Sequence, residues 1–198
     1  ACEIEILKCG EPIGKQDQYS AAFGGINIIK FHSNELVTVD PVICSPDLVQ
    51  QLEDNTLIFY TGITRSASAI LATQSKNLEQ KSKRILMKRM VELVFDLKKE
   101  LESNTLENFG EILHENWMLK TQLANSVSNY QIDDWYQIGL KNGALGGKLL
   151  GAGNGGFLMF FAPQQVHAKI EKALVGLQKV KFKFENSGSQ IVYYQSQK

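Results

Sequence analysis

Cysteine is scarce in this chain. Cys2, Cys9 and Cys44 are odd in number, lie in the first quarter and show no metal-ligand spacing. That excludes a disulfide framework and a structural zinc site, and it reads as a reduced, cytoplasmic protein. Net charge is also missing: 21 Lys and Arg balance 21 Asp and Glu. Nothing in that balance asks for nucleic acid or an anionic membrane. Apolar runs stop at about five residues, against the ~20 that a membrane helix needs. The start, Ala1 to Leu7, has no basic region of the kind that opens a signal peptide. His32, His114 and His167 are scattered with no partner at ligand spacing, so they read as structural and no metal site is expected.

Glycine, by contrast, is concentrated. Gly146, Gly147, Gly151, Gly153, Gly155 and Gly156 fall within eleven residues, with Asn154 among them, and Phe157 to Phe161 follow as an apolar run. Glycine is costly to order, so such density needs a backbone reason: φ > 0, or close approach of a ligand or another main chain. A glycine loop feeding a buried strand suggests the wall of a site, since a linker would be bordered by polar residues. It lacks the G-x-x-x-x-G-K-[S/T] pattern of a phosphate loop. A strand also follows where the dinucleotide fingerprint requires a helix. Two readings stay open, a ligand-lining loop and a structural β-bulge or tight crossover.

The remaining pattern predicts an α+β fold. Ile4 and Leu7 with Glu3 and Glu5 read as the last turns of an amphipathic helix ending near Cys9-Gly10. A chain that opens this way is expected to be a fragment. Strands are expected at 26–31, 36–39 and 57–61. Helical spacing runs from about 67 to 101, with a break near 74–80. A helix capped by Thr105 is expected over 106–127, and another over 133–142, ended by Gly143. Strand 157–161 follows, then a helix opened by Pro163, then strands near 179–184 and 190–194. The domain division is placed at residue 52: 1–52 as the remnant of a preceding domain and 53–198 as a C-terminal domain.

Two further segments carry candidate chemistry. Asp17 lies in a loop with Lys15 close by; such an Asp can accept a hydroxyl proton. The alternative is that Asp17 caps the helix or turn starting at Gln18-Tyr19. Thr64, Arg65 and Ser66 stand between a buried strand and a long helix. Free N–H groups at that helix start, with Arg65 beside them, make an anion or phosphate pocket. The alternative is a capped helix with a solvated Arg65.

Together these segments resemble the superfamily of galactokinase, homoserine kinase, mevalonate kinase and phosphomevalonate kinase. Gly146 to Gly156 is similar to its glycine-rich third motif, and Gly14-Lys15-Gln16-Asp17-Gln18 to the loop carrying its catalytic Asp. Within it, the runs from Gly10 to Phe31, Tyr60 to Ser68 and Leu113 to Trp117 resemble the D-glycero-D-manno-heptose 7-phosphate kinases. The resemblance implies a ferredoxin-like C-terminal domain and phosphoryl transfer from ATP to the anomeric hydroxyl of a sugar 7-phosphate. Asp17 would act on the acceptor hydroxyl beside Lys15. Thr64, Arg65 and Ser66 would take the sugar's distal phosphate, and Gly151 to Gly156 would wall the cleft. The family's phosphate loop and Mg²⁺ ligands belong to parts upstream of Ala1 and do not occur in this sequence, so the chain alone is expected to be inactive. Asn154 replaces a glycine common in the third motif; Asn tolerates φ > 0 better than most residues. The competing readings are a fucokinase-like domain acting on an unphosphorylated sugar and a non-catalytic half-protein that docks on a companion N-terminal half or forms a homo-oligomer.

Overall fold

The computed structural model describes residues 1–64 and 67–195. They form two compact units, Ala1–Val42 with Lys183–Lys198, and Ile43–Phe182. The sequence reading divided the chain at residue 52 and kept everything after it together.

In the first unit a π-helical turn, Glu3–Lys8, is closed by the Cys9 N–H donating to the Ile4 carbonyl at 2.9 Å. Gly10 then takes φ +70°, as expected of a residue that ends a helix. Helix α1 (Gln16–Phe23) starts two residues before the expected point and carries Asp17 in its first turn. Strands β1 (Asn27–Phe31) and β2 (Val37–Pro41) pair as an antiparallel hairpin. The expected strand at 190–194 does not form, and Ile191, Val192, Tyr193 and Tyr194 are exposed. Strand propensity without a paired ladder leaves the backbone unsupported. Just before it, the Gly25 N–H donates to Glu185 O at 2.7 Å and the Ser189 hydroxyl to Ala21 O at 3.0 Å.

The second unit is built on a four-stranded antiparallel sheet. Helix α2 (Pro46–Asp54) is capped by Ser45, whose hydroxyl accepts from the Leu48 N–H at 3.2 Å, with Pro46 in its first turn. It leads into β3 (Thr56–Tyr60). Helices α3 (Ala67–Asn77), α4 (Lys81–Glu102), α5 (Phe109–Leu123) and α6 (Tyr130–Lys141) then form one long crossover. Strands β4 (Gly146–Leu149) and β5 (Phe157–Phe161), helix α7 (Gln164–Ala173) and β6 (Gln178–Val180) complete the unit. The strand order is β4-β5-β3-β6. A βαββαβ sequence with that order is the ferredoxin-like arrangement, its first helical connection enlarged to four helices.

Alternation fixes which face is buried. Leu57 pairs with Phe160 and Phe59 with Leu158, while Gly147 and Leu149 continue these two rows on β4. Their apolar members join Trp117, Ile132, Tyr136, Ile170 and Leu174 in one core. A one-residue slip of β5 would turn its Leu158 and Phe160 outward.

Several boundaries moved for visible reasons. The break expected near 74–80 falls between α3 and α4. Helix α5 starts three residues after the expected point, because Thr105 Oγ1 accepts from Glu107 N at 3.3 Å one turn ahead of it. It ends at Leu123, where Ala124 turns extended and a 3₁₀ turn, Asn125–Val127, follows. Helix α6 starts at Tyr130, three residues early, because the Asn129 side chain caps it by accepting from Ile132 N at 3.1 Å. Gly146 and Gly147 belong to strand β4 and not to the loop.

Gly139 shows how close the packing is. A Cβ at this α6 position would run into the Phe160 ring. Helix propensity alone favours Ala over Gly by about 1 kcal/mol. Gly139→Ala should nevertheless destabilise the protein by about 1–3 kcal/mol, the usual cost of overpacking. Urea unfolding checks the sign; a stabilised variant would mean that helix α6 does not meet β5 this closely.

Candidate functional site

The loop between β4 and β5 runs almost entirely through left-handed backbone. Gly151, Gly153, Asn154, Gly155 and Gly156 have φ of +75°, +117°, +56°, +152° and +96°. L-residues pay to enter that region, and Asn pays less than most. Two of these glycines are also required by neighbouring main chain. A Cβ at Gly153 would lie 2.5 Å from Val127 O, and one at Gly155 would lie 2.5 Å from Ile63 O.

Hydrogen bonds hold the loop on both sides. Asn154 N donates to Val127 O at 2.7 Å, and Gly156 N to Ile63 O at 3.1 Å. The Gly156 carbonyl accepts from both the N–H and the hydroxyl of Thr61, each at 2.9 Å. Side chains from three other places add to this. Asn129 Nδ2 donates to Asn154 Oδ1 at 2.6 Å, Gln74 Nε2 to Ala152 O at 3.1 Å, and Lys120 Nζ to Gly151 O at 2.5 Å. The structure thus joins two segments singled out in the sequence, the glycine loop and the stretch from Thr61 to Thr64.

Asn129, Gln74 and Lys120 were not singled out. An Asn just before a helical run is a capping signal and marks Asn129 locally. Gln74 and Lys120 carry no local signal, since only the tertiary fold brings their helices to the loop. Thr64 is exposed. Arg65 and Ser66 lie outside the described residues.

Asp17 and Lys15 belong to the first unit. Lys15 occupies the cap position of α1, which has no side-chain cap, so Asp17 does not cap it. The Asp17 carboxylate is exposed and makes no hydrogen bond or ion pair among the described residues. Lys15 Nζ instead donates to Glu35 Oε2 at 2.6 Å. That contact raises the Lys15 pKa and lowers that of Glu35.

A partly buried polar relay backs β4. His114 Nδ1 lies 2.8 Å from the Tyr136 hydroxyl, which donates to Gly147 O at 3.3 Å. Burial pushes the Tyr136 phenol well above its ordinary pKa, so it remains a neutral donor. Burial also pushes the neighbouring Lys148 ammonium below its usual value. His32 contacts Thr38 Oγ1 at 3.2 Å and His167 contacts Ala162 O at 2.9 Å. Among the described residues, no group of three or more His, Cys, Asp or Glu side chains is placed to hold a metal ion, and no helix is long and apolar enough to cross a membrane.

A ferredoxin-like sheet with a left-handed glycine loop between its second and third strands defines a class. Residues 97–175 match the family described as GHMP kinases C terminal. Among individual relatives, it is 33% identical over 174 residues to a D-glycero-alpha-D-manno-heptose 7-phosphate kinase of Campylobacter jejuni, covering 88% of this chain and 51% of the relative. It is 30% identical over 163 residues to a bifunctional fucokinase/GDP-fucose pyrophosphorylase of Arabidopsis thaliana, covering 79% and 15%. Among solved structures, a D-glycero-D-manno-heptose 1-phosphate kinase from Bacteriodes thetaiotaomicron superposes with TM-score 0.64 at 25% identity, covering 97% of this chain and 54% of that one. The chain therefore spans about half the length of the two heptose-phosphate kinases.

The loop geometry sets a stability order. Asn154→Ala loses the Asn129 bond and keeps the left-handed penalty, whereas Asn154→Gly loses the bond alone. The Ala variant should be the less stable by about 1–2 kcal/mol. Chemical denaturation of both decides it; equal stabilities would mean that the residue leaves φ > 0 in solution.

Proposed function

We propose that this chain is part of an ATP-dependent sugar kinase that phosphorylates the anomeric hydroxyl of D-glycero-D-manno-heptose 7-phosphate. The observation that carries this reading is the left-handed glycine loop fastened to residues 61–64, in a chain related to a heptose 7-phosphate kinase over 88% of its length. In phosphoryl transfer the protein chiefly positions groups and neutralises charge. The acceptor oxygen gives its proton toward the Asp17 carboxylate and forms a bond to the γ-phosphorus. The bond from that phosphorus to the bridging oxygen breaks, and ADP leaves. An exposed carboxylate with no hydrogen bond or ion pair among the described residues suits this role. The loop forms a rigid wall. Mg²⁺ would supply charge neutralisation on the phosphates; the residues described here do not assemble a site for it, and no step is derived through it.

The test is a coupled kinase assay on the polypeptide in which these residues naturally occur, with heptose 7-phosphate, unphosphorylated heptose and fucose as acceptors. Preference for the 7-phosphate supports the proposal. Preference for fucose favours the second reading, a fucokinase-like activity, for which the 30% identity to the Arabidopsis enzyme speaks. No transfer to any sugar overturns both readings. The isolated 198-residue chain should itself show negligible turnover, because the sequence contains no phosphate loop.

Two substitutions probe the roles. Asp17→Asn should keep the fold and sugar binding and lower kcat by about 100- to 10,000-fold, the range of a general base. A near-normal kcat would remove Asp17 from the chemistry. Arg65→Ala should weaken binding of heptose 7-phosphate by about 10- to 100-fold, the loss of one charge-assisted contact. Unphosphorylated heptose should bind almost unchanged. Calorimetric titration separates the cases: equal loss for both sugars makes Arg65 structural, and no loss leaves it solvated.

A further inference from the structure

The tip of the β1–β2 hairpin holds an unusual residue. The turn is closed by the Glu35 N–H donating to His32 O at 3.1 Å, and the Leu36 N–H donates to Asn34 Oδ1 at 3.2 Å. Glu35 follows with φ +65°. This left-handed position after a turn is one that Gly or Asn fills at little cost. A Glu there carries backbone strain, and such an outlier invites a search for what its side chain does. The side chain reaches Lys15 Nζ at 2.6 Å. Lys15 opens α1, two residues before Asp17.

We propose that Glu35 is a positioning residue for phosphoryl transfer and acts through Lys15, fixing its ammonium at the start of the helix that presents Asp17. The inference rests on the sugar-kinase reading above and adds to it a residue outside every motif singled out in the sequence. An ammonium has three N–H donors. Glu35 takes one, which leaves two for oxygens of the phosphoryl group in transfer. Protein kinases use a comparable device, a lysine paired with a glutamate at the nucleotide phosphates. Without the carboxylate, Lys15 keeps its charge but must be ordered in each catalytic cycle. Glu35 is 84% exposed, so the effect is that of a surface ion pair.

A double-mutant cycle in the complete enzyme tests this. Glu35→Gly removes the carboxylate and at the same time relieves the left-handed backbone, so the hairpin should be as stable as before or more so. Glu35→Gln removes the charge and keeps the strain. Both should lower kcat by about two- to fivefold, with the KM for the sugar unchanged. Lys15→Met should cost more, and adding Glu35→Gly to it should cost nothing further. Thermal unfolding of each variant separates folding from kinetics. A wild-type kcat in Glu35→Gly, or the same loss repeated in the Lys15→Met background, overturns the inference while leaving the kinase reading intact. Absence of any sugar-kinase turnover in the unaltered enzyme overturns that reading, and this inference with it.

Discussion

One carbonyl organises the candidate site. Gly156 O accepts two hydrogen bonds, both from Thr61, whose side chain is buried. Thr61 directly follows β3, a central strand of the sheet, and Gly156 ends the glycine loop one residue before β5. The double bond therefore locks the exit of a central strand to the exit of the loop. Ile63 N also reaches the Thr61 hydroxyl, at 3.3 Å, so the same side chain shapes the start of the long helical crossover. A buried hydroxyl is costly unless satisfied. Here its satisfaction is what sets the loop conformation.

Given that lock, the left-handed run becomes a consequence. The loop must leave β4, pass the Val127 and Ile63 main chains and enter β5 in register with β3. Only residues without a Cβ fit beside those two main chains, and Asn154 is accommodated because its side chain meets Asn129 at the cap of α6. The wall is thus made of backbone and fastened by amides and one lysine. The charged candidate chemistry, Asp17 with Lys15 and Glu35, lies in the first unit.

Much of the sheet could be read from the sequence, because β3 and β5 are apolar runs whose buried side chains alternate. The break between α3 and α4 was visible in Gln74 to Gln80, and the φ > 0 tolerance of Asn154 followed from residue type. Strand β4 was hidden because Gly146-Gly147-Lys148-Leu149 has no β-branched residue, and its strand character comes from pairing with β5. The run 190–194 failed in the opposite way, with strong propensity and no ladder to join. For the site, the glycines announced an unusual backbone but could not say what approached it. Thr61 and Gly156 are 95 residues apart, so their bond belongs to tertiary structure alone. Glu35 was invisible for the same reason, since neither its φ nor its reach to Lys15 is written in neighbouring residues.

The central claim is that the glycine loop is a fixed wall and not a mobile flap. Amide hydrogen exchange tests it most directly, because local opening is read residue by residue. The account predicts that the amides of Thr61, Asn154 and Gly156 exchange within about tenfold of those of the β3–β5 ladder, since all open only when the core opens. Exchange of Asn154 and Gly156 at the rate of an unprotected loop, while the ladder stays protected, would contradict it.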